Sequence, residues 1–190
     1  MGNIFISADF HAFHTNICGP KVSQWKSGYR NFDSVKDMNE AIVSSINKDV
    51  KYDDILYFLG DWSFGGHENI PKLRQMLNVQ NIILVFGNHD QHIRKMYKHL
   101  FTETHELLYK KFDKSPLIVM CHYALRVWEG SHRGNICLYG HSHHTLPEIG
   151  KSMDVGWCKY RRALPLEEIL EIMSKRQIVT VDHHNSRTTQ

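Results

Sequence analysis

Five short apolar runs, each broken off by side chains that can ligate or titrate, constrain this chain more than any other feature. Residues 3–7, 55–59, 81–86, 117–121 and 136–139 are rich in Ile, Val, Leu, Phe and Tyr, and their length and composition predict strands buried on both faces. They are followed by Asp9-Phe10-His11, Gly60-Asp61, Gly87-Asn88-His89-Asp90, His122 and Gly140-His141-Ser142-His143. Residues 152–155 and 178–181 are weaker strand candidates.

Helical periodicity fills the gaps. Ser34 and Asp37 resemble a capping box, and Val35, Met38, Ala41, Ile42 and Ile46 share one face of a helix predicted over 34–48. Residues 70–77, with Pro71 in the first turn, and 166–174, opened by Pro165 with Glu167 and Glu168, predict two more. A short fourth helix is expected over 91–98. Strands alternating with helices make an α/β fold, whose ligands bind beyond the carboxyl ends of the strands.

The spacing of the terminating residues then carries chemistry. In Asp9-x-His11 and His141-x-His143, extended backbone would project both members of a pair to one side. Gly60, Gly87 and Gly140 allow sharp turns and close approach. Asp9, His11, Asp61, Asn88, His122, His141 and His143 outnumber the ligands of one tetrahedral ion, so two ions sharing a carboxylate are expected. Oxygen and nitrogen ligands without thiolate suit a divalent metal, with Mn²⁺ the first candidate and Fe, Zn, Ni or Mg as alternatives. Two such ions, roughly 3.5–4 Å apart, would orient and deprotonate a water for in-line attack on phosphorus.

Composition narrows the class. A chain of 190 residues fits one domain, drawn here as 1–182 with a polar tail at 183–190. The net charge of +3 lacks the basic stripe of a nucleic-acid groove, so a nuclease is the less favoured alternative. Cys18, Cys121, Cys137 and Cys158 show no CxxC spacing and are expected to be inert reduced thiols. Neither a secretory signal nor a membrane span is visible, so a cytoplasmic location is expected. Oligomeric state is left open.

The ordered set DxH, GD, GNH[DE], H and GHxH resembles the calcineurin-like metallophosphoesterase superfamily. A closer likeness, to small prokaryotic and phage phosphoesterases, rests on extended motifs: DxHxxHxNI from Asp9 to Ile17, Gly60-Asp61-Trp62-Ser63-Phe64-Gly65, and His122-Tyr123-Ala124-Leu125-Arg126-Val127-Trp128. The resemblance implies a two-sheet αββα sandwich. It also implies that Asp9, His11 and His143 bind one ion, Asn88, His122 and His141 the other, and that Asp61 bridges them. His89 would serve the transition state or leaving oxygen as a catalytic non-ligand, with Asp90 orienting it as a dyad. Ala8 and Phe10 stand where relatives carry small hydroxyl residues.

The substrate expected is a small phosphorylated molecule, nucleotide-like and either a monoester or a diester. Candidate contacts to it are His14, Asn16, Arg126 and Arg133, the arginines because a guanidinium fork suits phosphate. Trp62, Tyr123 and Trp128 could stack on a base, although packing is the commoner role. A non-catalytic scaffold would lack ligands or the catalytic histidine, and neither is missing.

Overall fold

In the computed structural model, which describes residues 2–23 and 30–182, the apolar runs are strands at or within a residue or two of the expected bounds. In chain order the strands are β1 (Ile4–Ser7), β2 (Ile55–Phe58), β3 (Asn81–Val85), β4 (Glu103–His105), β5 (Leu108–Lys110), β6 (Ile118–Met120), β7 (Ile136–Tyr139), β8 (Ser152–Asp154) and β9 (Leu164–Pro165). They form two sheets, ordered β4-β3-β2-β1-β9 and β5-β6-β7-β8. β1 to β4 are mutually parallel, as are β6 to β8, while β9 and β5 run antiparallel at one edge of each sheet. The register keeps the parallel strands in step: Ser7 lies beside Phe58, and Phe58 beside Leu84. Their carboxyl ends therefore reach one edge together.

Period-two alternation explains how both faces of the first sheet are buried. Phe5, Leu56, Phe58, Ile82 and Leu84 pack into one core with Met38, Ile42 and Ile46 of α1 (Val35–Asp49) and Ile70 and Leu73 of α2 (Asn69–Met76). Ile6, Tyr57, Leu59, Ile83 and Val85 face the second sheet and meet Ile118, Met120, Ile136, Leu138 and Met153 in another. Ser34 caps α1 as expected, its hydroxyl accepting from Asp37 N–H at 3.0 Å. After α3 (Trp157–Tyr160), the amphipathic α4 (Leu166–Ser174) buries Leu166, Ile169 and Met173 in the inter-sheet core. Trp128 and Leu125, from the segment after β6, cover Val119, Cys137 and Tyr139 on the outer face of the second sheet. This is the expected two-sheet sandwich flanked by helices.

Two local expectations change, and three short strands are added. Residues 178–181 form no strand, because no described strand edge pairs with them; Ile178, Val179 and Val181 are exposed. The 91–98 segment is helical but wound as a π-helix (Ile93–Tyr97) followed by a 3₁₀ turn (Lys98–Leu100). β4, β5 and β9 are two or three residues long, below the length at which alternation can be read. Residues 24–29, and the tail at 183–190, lie outside the described residues. Among the described residues no helix is long and apolar enough to cross a membrane.

The sheets come together where the site lies. Ala8, just past β1, bridges Gly156, just past β8, and Trp157 N–H donates to Ala8 C=O at 2.9 Å.

Candidate metal centre

The turns after the strands are left-handed. Asp9, His11, Asp61, His141 and His143 have φ of 57°, 43°, 62°, 63° and 48°, a region that L-residues visit at a cost of about 1–3 kcal/mol each. This corrects the expectation of extended pairs at Asp9-x-His11 and His141-x-His143. Extended backbone would carry the chain away from the sheet edge at about 3.3 Å per residue. The left-handed residues fold it back, so Asp9 N–H reaches Gly60 C=O and His11 N–H reaches Asp61 C=O, each at 2.9 Å. Convergence survives by a different route.

The glycines divide their work. Gly60, at φ 90°, makes a turn, and a Cβ there would sit 2.7 Å from His122 Nδ1. Gly87 and Gly140 are needed for close approach, since a Cβ would lie 2.2 Å from Asp61 Oδ1 and 2.6 Å from Asp9 Oδ2 respectively.

Two groups of ligand atoms gather within 4.8 Å: Asp9, His11 and His143 in one, Asp61, His122 and His141 in the other. A third group, His11, Asp61 and His89, lies between them. Asp61 Oδ2 is 3.3 Å from His11 Nε2 and 3.4 Å from His122 Nε2, while Oδ1 accepts from His89 N–H at 3.0 Å. Asn88 Oδ1 lies 3.0 Å from both His122 Nε2 and His141 Nδ1.

Do these residues fit a cation? His122 Nδ1 is 2.7 Å from Leu59 C=O, which can only accept, so Nδ1 carries the proton. In neutral imidazole, Nε2 would then point a lone pair at the Asn88 carbonyl oxygen. A proton, a metal cation between them, or a turned Asn88 amide would resolve the clash. With protons alone, burial opposes the charge, but the hydrogen bond to Asp61 together with the charges of Asp61 and Asp9 outweighs it and pushes His122 up to about 9. Burial likewise works against the Asp61 carboxylate, yet His122 and His11 hold it well below the usual range. Burial raises Asp9 to about 8, with His143 and His122 offsetting only part. Both ring nitrogens of His11 are buried without a hydrogen-bond partner, which is costly unless something else binds them. Oxygen and nitrogen donors of this kind fit divalent metals.

His89 is exposed beside this centre. Asp90 does not orient it. The Asp90 carboxylate, 1 % exposed, accepts from Asp61 N–H (2.9 Å), Gly87 N–H (2.8 Å) and Trp62 N–H (3.0 Å), and no hydrogen bond joins it to the His89 ring. The expected dyad is therefore replaced by a clamp between the second and third ligand loops, because three backbone donors claim the carboxylate first.

Of the expected substrate contacts, His14 stacks on Phe64 with ring centroids 3.8 Å apart, and burial lowers it to about 4. Asn16 is exposed and accepts from the Ser23 hydroxyl. Arg126 and Arg133 are exposed, and neither ion-pairs with a described carboxylate. Trp62 and Trp128 are buried packing residues, whereas Tyr123 is exposed with its ring 4.8 Å from that of His141. Phe10 packs on Phe58 with centroids 4.3 Å apart, filling with core the place a small hydroxyl residue would take.

Sequence reasoning missed Asp154, Arg30 and Cys158. Asp154 is fully buried and accepts from Ser142 Oγ (2.5 Å), His144 N–H (2.9 Å) and Gly156 N–H (2.8 Å), holding the His141–His143 loop. An aspartate between Met153 and Val155 in an apolar run was the available signal.

Known proteins support this geometry at the level of fold and family. The chain is 33% identical over 93 residues to the uncharacterized protein MJ1445 of Methanocaldococcus jannaschii, covering 48% of each, so it spans about half of that relative's length. A solved structure, a protein of unknown function named AQ665 from Aquifex aeolicus, matches with a TM-score of 0.65 over 90% of this chain and 100% of that one. At 18% identity this is a likeness of fold. The calcineurin-like phosphoesterase family matches residues 2–189, nearly the whole sequence and every ligand loop, and the chain belongs to that family.

Proposed function

We propose that this chain is a dinuclear-metal phosphoesterase that hydrolyses small phosphomonoesters or phosphodiesters, nucleotide-like ones foremost. The observation that carries the reading is Asp61 Oδ2, at near-equal distances from an imidazole of each ligand group. Asp9, His11 and His143 would hold one ion, Asn88, His122 and His141 the other, with Asp61 shared between them. Divalent cations held there, Mn²⁺ first, would supply positive charge for activating a water and neutralising phosphate oxygens. Asp90 and Asp154 keep the ligand loops from relaxing. His89, exposed and tied through its N–H to Asp61, donates a hydrogen bond or proton toward the leaving oxygen.

A cavity of about 140 Å³ lies beside His89, lined by Phe64, Gly65, Gly66, His67 and His92, with room for a compact leaving group. Its volume lies below the ~300–1,000 Å³ of ordinary ligand pockets. Turnover of an aryl phosphate or bis-aryl phosphate with added Mn²⁺, lost in Asp61→Ala, is the expected result. Equal turnover by wild type and variant would overturn the proposal. Oligonucleotides turned over faster than mononucleotide esters would move the substrate to nucleic acid.

A further inference from the structure

Cys158 reads from the sequence as one inert thiol among four, and its position in the fold says otherwise. It lies in α3, immediately after the Ala8–Gly156 bridge, with its sulfur 3.0 Å from Nδ1 of His143. Nη2 of Arg30 is 3.5 Å from the same sulfur. Arg30 is 2 % exposed and forms no ion pair with a described carboxylate, a costly way to bury a cation. Its fork donates instead to Phe10 C=O (2.7 Å) and Asp9 C=O (2.6 Å), and its guanidinium carbon sits 5.1 Å from the centre of the Trp157 ring. One buried cation therefore joins the loop carrying Asp9 and His11 to the sulfur beside His143.

We infer that Cys158 and Arg30 are positioning residues for the first cation site, the sulfur accepting Nδ1–H of His143 so that Nε2 keeps its lone pair for the metal. This rests on the dinuclear reading above. A neutral imidazole has one N–H, and its partner decides which nitrogen carries it. If the thiol donated to Nδ1, the proton would sit on Nε2 and close it to a cation. Arg30 can only donate, so the sulfur already accepts from one neighbour, and the same role is proposed for it toward His143. His122 shows the same device in the second group, with Leu59 C=O in place of the sulfur. Partners of this kind commonly govern metal affinity by about 10–100-fold.

The test titrates chelator-stripped full-length protein with Co²⁺, reading affinity by calorimetry and ligand geometry by the visible spectrum. Cys158→Ala is expected to weaken one of the two Co²⁺ equivalents by about 10–100-fold and change its spectrum, leaving the other as in wild type. Cys158→Asp, which restores an acceptor, is expected to recover most of the loss. Thermal melts of the metal-free proteins verify that the variants are folded. Wild type binding two equivalents with Cys158→Ala indistinguishable from it would overturn this inference alone. Ala and Asp variants weakened equally, or both equivalents weakened together, would also overturn it, since that marks a general packing defect. Wild type that binds no Co²⁺ would overturn the proposed function and this inference with it.

Discussion

The two ends of the parallel strands make an instructive pair. At the amino-terminal end lies the larger cavity, about 630 Å³, lined by Asn3, Phe5, Phe112, Lys114, Pro165 and Leu170 among others. Its one left-handed residue, Asp113, belongs to the turn between β5 and β6, where Ser115 N–H returns to Phe112 C=O. No buried side-chain atom lacking a partner lines that cavity among the described residues. Asp54 nearby is buried yet accepts from Asn3 N–H and Lys51 N–H. At the carboxyl-terminal end the adjoining cavity is far smaller, but five of the expected ligands are left-handed and neither His11 nitrogen has a hydrogen-bond partner. Strain and unmet polar capacity distinguish the working end; volume does not.

The sharpest way to break this contrast is at His89, which belongs to the carboxyl-terminal edge but is exposed. His89→Asn should lower kcat by about 10²–10⁴-fold while metal binding is retained. Loss of metal along with activity would make His89 a ligand, consistent with its place in the His11–Asp61–His89 group, and would redraw the centre.

Much of this edge was legible in the residues. β7 and α4 match their expected bounds because each is a continuous apolar or amphipathic run with a clear terminator. The ligand types could be read because all follow strands in step. What could not be read depends on the folded chain. Left-handed φ at Asp9 or His141 has no signature in residue type, and Asp90 beside His89 looks like a dyad until three backbone donors from other loops claim it. Arg30 and Cys158 are separated by 128 positions and share no motif, so only the docking of β1 against β8 brings them together. Residues 178–181 have strand composition without a strand edge to meet, and composition alone could not supply one.

Proton–metal competition tests the contrast less drastically. Without metal, burial holds Asp9 up to about 8, and His122 reaches about 9 because the Asp61 bond and the charges of Asp61 and Asp9 together outweigh its burial. Each folded value lies above its unfolded one. Asp9 therefore contributes most stability below about pH 4 and loses it as pH climbs toward 8; His122 contributes fully below about pH 6.5 and loses it through about 9. Asp61 is held low, so its contribution fades only in strong acid. Burial lowers His11, His14, His141 and His143, whose contribution is lost in acid, so the comparison belongs above their ordinary range. Metal-free protein should melt at lower temperature at pH 9 than at pH 7, and Mn²⁺ should raise Tm more at pH 9. A Tm increment independent of pH would show that the cation displaces no protons from these groups.

The smallest effect belongs to the other edge. Lys114 lines the larger cavity and makes no ion pair with a described carboxylate, so Lys114→Ala removes a charge without orphaning a partner. Stability should change by no more than about 0.5 kcal/mol, and kcat/KM should stay within about twofold of wild type. Between this edge and the metal ligands lies the full length of the parallel strands, packed on both faces and well suited to fix the loops at the far end. A tenfold fall in kcat/KM with Tm unchanged would mean that a group bound in the larger cavity acts on the chemistry through those strands. The division of labour between the two ends would then fail.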